Sequence, residues 1–320
     1  MKPSVSEIYD ELTSLGANDL QQILHSLIDA EEYWYLIDIL THGSSSADIT
    51  SDTTLTSGVN RYISLTVSSG VTLTLGAAPG VIIARTIRNS GVIASGWVKG
   101  SGGSAATGAG SGGGGRGGVI IITKDAELGT VNVDGEPGGD ASTVDVTADG
   151  GDGQGGYFWV VSGDVVPKGG DGGYGGASGY QGLGKVNAGG GGGIEHYGTI
   201  ARGGNGGEAT TESFNDPKAL LHSLLKAVVD WWIVNVVGKT PSYTRSIPQL
   251  GGSGGGGGGC INDVGSCGGG GGGGGQLIVL LRDLRGGTLT ARGGKGGARG
   301  NEGAKDSGGG GGGGGVVYVY

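Results

Sequence analysis

The regular spacing of glycine and apolar residues leaves this chain few possible folds. Glycine supplies 82 of the 320 residues, and short apolar runs recur between the glycine-rich stretches. The runs begin at Val81, Val119, Tyr157, Ile194, Leu277 and Val316. Their spacings are 38, 38, 37, 83 and 39 residues, so the underlying period is about 38. A fixed period predicts a repeat architecture, because a disordered glycine-rich tail has no reason to keep one.

Composition leaves few ways to order so much glycine. Seven prolines and the lack of a strict triplet exclude a collagen helix. Glycine loses the most chain entropy on ordering, so an ordered tract must pair nearly all its backbone groups. Polyglycine II helices packed side by side can do this. The runs Gly268–Gly275 and Gly308–Gly315 have equal lengths, as a bundle of parallel rods requires.

The net charge of −9 is unevenly distributed, because residues 1–42 alone contribute −7. No basic stripe is present to neutralise phosphates, so nucleic acid is not an expected partner. The N-terminal sequence shows no secretion signal, and no long uninterrupted apolar stretch predicts a membrane span.

Residues 1–43 are predicted to form an acidic helical module. Ser4 and Glu7 make a capping-box pattern, Gly16 is a plausible helix stop, and Asn18 a plausible cap for a second helix. Residues 31–40 are a third helix or a continuation of the second. The module either caps the repeat or docks onto another subunit.

Residues 44–118 are predicted to hold strands and the first repeat. Apolar residues alternate with threonine and serine from Leu65 to Leu75, which indicates half-buried strands. From Val81 onward each unit offers a strand, a glycine-threonine or glycine-valine element and a glycine-rich stretch. The fold class predicted for the chain is therefore mainly β plus a polyglycine II helix bundle, with repeats of about 38 residues. Residues 119–320 are assigned to the glycine-rich domain.

Residues 211–250 form an insert with a predicted helix. Asp216 and Pro217 are a strong helix start, and Gly238 is a plausible stop. Polar residues fall four apart as one narrow stripe, at Lys218, His222, Lys226 and Asp230. The remaining surface is apolar and requires burial, either against the chain's own repeat or in a subunit interface. Membrane insertion is the weaker alternative, because two charges would lie at mid-span.

The candidates for such a subunit interface are large apolar and aromatic side chains. They are Leu221, Leu225, Trp231, Trp232, Trp34 and Tyr35.

No pattern nominates a catalytic, cofactor or metal site, so a non-enzymatic protein is expected. Gly238-Lys239-Thr240 lacks the glycine that a phosphate loop needs five residues earlier. The aspartate in Gly150-Gly-Asp-Gly-Gln-Gly comes too early for a calcium nonapeptide. Glu195-His196-Tyr197 lacks a second acid or a nucleophile. Cys260 and Cys267 either close a short disulfide loop between two glycine runs or remain free thiols.

The chain resembles the glycine-rich adhesins at the tips of long tail fibres in T-even-type phages. The resemblance is carried by the polyglycine runs, by the segment from Tyr62 to Gly76, and by the later Gly-Thr-Ile or Gly-Thr-Leu and Gly-Gly-x-Gly-Gly elements. In that family, polyglycine II helices pack into a sandwich and the loops between them bind bacterial surface receptors. The resemblance implies receptor loops at Tyr174–Leu183, Glu195–Tyr197 and Cys260–Cys267. The individual candidates are Tyr174, Tyr180, Leu183, Glu195, His196 and Tyr197.

Together these features predict a structural or adhesive protein of the virion surface or the cell exterior. The first hypothesis is a tail-fibre or tip adhesin that binds a fibre protein and a cell-surface receptor. The alternative is a subunit of a self-assembling extracellular filament, whose partners would be copies of itself.

Overall fold

The computed structural model describes residues 4–77, 79–96, 117–135, 157–161, 194–196, 199–201, 210–214, 216–247, 276–292 and 316–320. The long polyglycine runs and both cysteines lie outside these ranges. The helices are α1 (Val5–Ser14), α2 (Ala17–Asp29), α3 (Tyr33–Leu40) and α4 (Pro217–Trp232), which continues as a π-helical turn, Ile233–Val237. The strands are β1 (Ala47–Ile49), β2 (Thr53–Leu55), β3 (Val59–Val67), β4 (Thr72–Leu75), β5 (Gly80–Ser95), β6 (Val119–Asn132), β7 (Tyr157–Val161), β8 (Ile194–His196), β9 (Thr199–Ala201), β10 (Thr210–Phe214), β11 (Gln276–Leu280), β12 (Asp283–Leu284), β13 (Thr288–Thr290) and β14 (Val316–Val319).

Ten of these strands form one parallel sheet. Its central order is β1-β3-β5-β6-β11-β14, while β2 and β4 extend it beside β5, and β12 and β13 pair with β6. The chain is thus a mixed α/β protein built on a parallel sheet. The predicted β content, helical module and inserted helix are present, and the predicted polyglycine rods lie outside the described residues.

The parallel register forces the chain to coil. Val59 pairs with Val81, and the strands β3 and β4 fill most of the short interval between them. A straight run from Val59 to Leu75 would extend about 53 Å. The segment from Leu75 to Val81 can reach back only about 20 Å. The chain therefore bends between β3 and β4 and returns to its starting edge, and we call each such circuit a coil.

Alternate residues of the coils point to two separate cores. On β5, Ile82 and Ala84 belong to the inner core with Leu65 and Leu73, while Val81 and Ile83 belong to a second core shared with the helices. The same alternation holds on β6 and β11. Both faces of these strands are buried, which explains their continuous apolar sequence. The alternation from Leu65 to Leu75, predicted to be half-buried, is confirmed by its burial pattern.

Stacked glycines make the bends possible. Gly91, Gly129 and Gly287 occupy one corner of three successive coils. A Cβ atom on Gly129 would lie 2.5 Å from the carbonyl oxygen of Asn89, and one on Gly91 or Gly287 would meet a backbone carbonyl of the neighbouring coil even more closely. Asn89 supports the bend, because its Oδ1 accepts from the Gly91 amide at 3.0 Å and its Nδ2 donates to the Thr130 carbonyl.

The period of the apolar runs is not the unit of the sheet. The first coils pair residues close in sequence, such as Ala47 with Leu65, whereas Val81 pairs with the more distant Ile120. The spacing predicts that the runs at Tyr157 and Ile194 are equivalent strands, but β6 pairs directly with β11. Instead β7 pairs with β10, and β8 pairs with β9. Spacing alone misassigned them, because a strand's neighbour depends on where the chain re-enters the sheet.

The N-terminal helices cover the outer face of the coils. The Ser4–Glu7 capping box is confirmed. Helix α1 ends at Ser14, two residues before the predicted stop at Gly16, and Gly16 also occupies the N-cap position of α2, with no side-chain cap. Asn18 lies inside α2, and its Oδ1 accepts from the Ser242 amide at 2.8 Å. Basic side chains of the sheet bind the C-terminal end of α3: Arg61 donates to the carbonyls of Leu40 and His42, and Lys124 pairs with Asp38. These cations also suit the negative end of the helix dipole.

Helix α4 is buried against its own chain. Asp216 caps it and Gly238 ends it in the left-handed conformation, as predicted. Leu221, Leu225 and Trp232 belong to the core that α1–α3 share with the sheet. Their predicted role in a subunit interface is wrong for the folded chain, because their side chains are already covered. Trp231, Trp34 and Tyr35 are half-buried at the edge of the same core.

By length and composition alone, Lys218–Val237 could cross a membrane, and 56% of that window is buried inside the protein. The core helix of a soluble protein has the same length and composition, so this feature is weak evidence for a membrane span.

The close stacking of glycines at this corner predicts that a methyl group added at Gly129 costs more stability than one added at a glycine with open space around it. Gly129→Ala forces Cβ against a rigid carbonyl and should destabilise the fold by about 3 kcal/mol. The matched control is Gly70→Ala, where φ is +76° but nothing lies within 4 Å, and it should cost about 1 kcal/mol. Urea unfolding followed by circular dichroism would measure both. Equal costs would contradict the close stacking of coils at this corner.

Candidate functional site

The polar stripe of α4 faces the N-terminal helices. At its C-terminal end, Asp230 is fully buried. Its Oδ1 accepts from Gln21 Nε2 at 2.6 Å and lies 2.8 Å from His25 Nε2, while its Oδ2 accepts from the Arg245 amide at 2.8 Å. One carboxylate therefore joins α2, α4 and the segment after α4.

The same stripe continues toward the N-terminus of α4 with pairs of opposite charge. Lys226 Nζ lies 2.7 Å from Asp29 Oδ1, and Lys218 pairs with Glu31. His222 Nε2 lies 2.8 Å from the Tyr33 hydroxyl. The polar stripe predicted from sequence thus pairs with the acidic N-terminal module. Lys218 and Lys226 of the stripe offset part of that module's negative charge.

Two opposing effects act on the pKa of Asp230. Burial by itself would raise the pKa, because it disfavours the charged form. Hydrogen bonds from His25, Gln21 and the Arg245 backbone outweigh burial, so the net pKa lies below the usual value for aspartate. The carboxylate is therefore held ionised as a fixed acceptor.

A polar groove of about 460 Å³ opens beside this network. Its lining comes from one face of α2, from α4 and from the segment after α4. The lining residues are Asn18, Gln21, Gln22, His25, Ser26, Asp29, Lys226, Tyr243 and Arg245. We call this the α2/α4 groove. At its rim, Tyr243 is 65% exposed, and the Arg245 guanidinium lies 5.4 Å from the centre of the Tyr243 ring.

A second cavity, of about 790 Å³, lies between the end of α4 and the edge of the coils. Trp231, Val234 and Ile247 supply its apolar lining, and Val59 and Pro79 supply the coil side. It carries fewer groups that could orient a ligand, so the α2/α4 groove is the stronger candidate site.

The His25–Asp230 pair resembles part of a catalytic triad, but among the described residues no hydrogen bond joins His25 to a serine, threonine or cysteine side chain. Ser26 adjoins His25 on the same helix, where neighbouring side chains do not face each other. Its hydroxyl donates to the Gln22 carbonyl at 2.8 Å. Within the described ranges, no three His, Cys, Asp or Glu side chains come close enough to hold a metal ion. The described lining of the groove offers amide, imidazole, carboxylate and ammonium groups together with one exposed aromatic ring.

Of the predicted receptor-loop residues that the structure describes, neither Glu195 nor His196 lines this groove. Glu195 and His196 lie on β8, opposite Ile200 and Thr199 of β9. The other receptor-loop candidates, Tyr174, Tyr180, Leu183 and Tyr197, lie outside the described residues, as do Cys260 and Cys267. Sequence reasoning missed the groove, although polar residues recur every three or four positions along α2, from Asn18 to Asp29. Lys239, rejected above as part of a phosphate loop, donates to the Thr13 carbonyl at 2.5 Å.

Comparisons with protein-family models, with curated proteins and with solved structures found no match for this chain.

The buried carboxylate predicts a pH-dependent stability difference. Asp230→Asn should cost about 3 kcal/mol at neutral pH, because it removes the charge that balances Arg245 and turns one of the two accepting oxygens into an NH2 group that faces other donors. Folding lowers the pKa of Asp230, so its charge stabilises the fold fully when the pH is above the pKa of the unfolded state, about 3.9. This stabilisation is lost as the pH falls through the pKa of the folded state. The control is Asp29→Asn, whose exposed pair with Lys226 should be worth less than about 1 kcal/mol.

Urea unfolding at neutral pH and near pH 3 would test this expectation. A difference between wild type and Asp230→Asn that stays constant over that range would show that the charge of Asp230 does not stabilise the fold.

Proposed function

We propose that this chain is a non-enzymatic structural and adhesive protein of the virion surface or cell exterior, most specifically a tail-fibre or tip adhesin. In this proposal a polyglycine II bundle, repeating with the period of the apolar runs, is mounted on the parallel coils. The helices α1–α4 brace the outer face of the coils, and the loops between glycine rods meet the receptor.

One observation supports the proposal above all others: the register between β11 and β14. Gln276 pairs with Val316, and each residue is preceded directly by eight glycines. Counting back from this pair would set Gly268 opposite Gly308. Paired strands lie about 4.8 Å apart, so the two runs would approach the sheet as parallel neighbours of equal length. This is the arrangement from which side-by-side polyglycine helices can exchange backbone hydrogen bonds.

Other glycine-rich segments meet the sheet in the same way. Val119 follows the sequence Gly112-Gly-Gly-Gly-Arg-Gly-Gly and pairs with Leu277, the neighbour of the β11 entry. On the exit side, the Gly96 amide donates to the Leu75 carbonyl and the Gly135 amide to the Arg292 carbonyl. Glycine-rich segments thus leave and rejoin successive coils at stacked positions. A bundle needs such a common base, because its rods carry almost no side chains to hold them together.

The alternative, a subunit of a self-assembling extracellular filament, has less support than the sequence alone suggests. That hypothesis needs α4 as an unpaired apolar surface, and the core of the chain covers it. Partners of the adhesin would be a fibre protein, other copies of the chain and a cell-surface receptor.

Amide hydrogen exchange tests the glycine bundle. In the native protein, the runs Gly268–Gly275 and Gly308–Gly315 should exchange slowly, because their amides are bonded to neighbouring rods. Gly271→Val should raise exchange in both runs, since a side chain separates the rods. The control is Gly265→Val, in the loop between the cysteines, which should leave both runs protected. Fast exchange of both runs in the native protein would refute the bundle.

Adhesion is tested separately with the purified chain. Negative-stain images should show discrete particles, and labelled protein should bind cells in a panel of bacterial strains. Long polymers that bind no cells would favour the filament. Deleting residues 217–237 also distinguishes the adhesin hypothesis from the filament hypothesis. In the adhesin, the deletion should unfold the helical part of the chain. In the filament, the shortened chain should stay folded and no longer polymerise.

A further inference from the structure

We propose that the α2/α4 groove binds a neutral saccharide, which gives the receptor of the proposed adhesive function a chemical class. The inference rests on that function for its biological role. It does not depend on the glycine runs, because every residue of the groove belongs to the helices or to the segment after α4.

The charge balance of the groove selects a neutral ligand. Its two cations are Lys226 and Arg245, and each already faces a carboxylate: Lys226 faces Asp29 at 2.7 Å, and Arg245 Nη1 lies 3.4 Å from Asp230. An anion would have to compete with both pairs, and a cation would meet Lys226 and Arg245. A neutral polyol avoids both costs.

The groups that remain available suit hydroxyls. Gln22 makes no side-chain hydrogen bond within the described part of the chain, and Asn18 uses only its Oδ1, which accepts from Ser242. Each amide offers both a donor and an acceptor. A sugar hydroxyl also both donates and accepts, so Asn18 and Gln22, which lie one helical turn apart on α2, can each hold a hydroxyl of the same ligand. The volume of about 460 Å³ falls within the range of small-molecule sites.

Tyr243 supplies the apolar surface that saccharide sites need. Its ring is 65% exposed at the rim of an otherwise polar groove, and Arg245 lies over it. The C–H face of a pyranose packs on such a ring, which removes apolar surface of both the sugar and the tyrosine from water. The segment is held in place, because the Tyr243 carbonyl accepts from Gln21 at 2.8 Å and the Arg245 amide donates to Asp230. A preformed platform lowers the entropy lost on binding.

Binding of the labelled full-length protein to an array of neutral and acidic glycans tests the inference, with calorimetry on each glycan that binds. Neutral glycans should bind, and their affinity should change little between about 0.05 M and 0.5 M salt. Tyr243→Ala and Gln22→Ala should each weaken binding about tenfold. The control is Asn235→Ala, an exposed amide near the end of α4 outside this groove, which should bind as wild type. Unfolding curves of all variants should coincide, since Tyr243 and Gln22 are exposed.

Three results would overturn the inference: no glycan bound, salt-sensitive binding restricted to acidic glycans, or binding that Tyr243→Ala and Gln22→Ala leave unchanged. If the protein still attaches to cells in any of these cases, adhesion stands and its receptor site lies elsewhere. If glycans bind as expected but exchange shows unprotected glycine runs, the groove stands and the glycine scaffold fails.

Discussion

The register of the parallel ladder determines how the other parts of this fold are placed. Because Val59 pairs with Val81 after one short circuit, the chain must bend and return, and every later strand of the central order is added to the same edge. The coil creates an inside, filled by Leu65, Ile82 and their neighbours, and an outside that is equally apolar at Val81 and Ile83. An apolar outer face cannot be left in water, so the coil needs the helices.

The helices cover that face with one apolar core and with a row of polar contacts between helices, which we call the polar seam. Leucines of α2 and α4 pack together with the outer residues of the sheet, while the stripe from Lys218 to Asp230 pairs with groups of the N-terminal module. Asp230 is the most demanding member of this seam, because a buried carboxylate is tolerated only where donors surround it. Its donors come from α2 and from the segment after α4, so the charge fixes their relative positions. The α2/α4 groove is a product of that arrangement.

Much of the local structure could be predicted from the chain. The capping box at Ser4, the start of α4 at Asp216 and its stop at Gly238 follow from backbone hydrogen-bonding needs that neighbouring residues satisfy. The runs at Val81, Val119, Leu277 and Val316 are strands of one sheet, as their composition predicts. The same reasoning failed for the runs at Tyr157 and Ile194, since apolar composition cannot tell which edge a strand will join. It missed the groove because Asn18 and Tyr243 are 225 residues apart in the chain.

Local sequence pattern is enough to specify many of the elements: the capping box that opens α1, the start and stop of α4, the stretches that extend, and the need to bury α4. These are local consequences of side-chain pattern, capping and glycine placement. The closing of the strands into coils, the covering of α4 by its own chain and the polar groove between α2 and α4 follow from the folded arrangement and not from any local pattern. The reason is that register and docking depend on contacts between residues far apart in the chain, whose free energies no local pattern records.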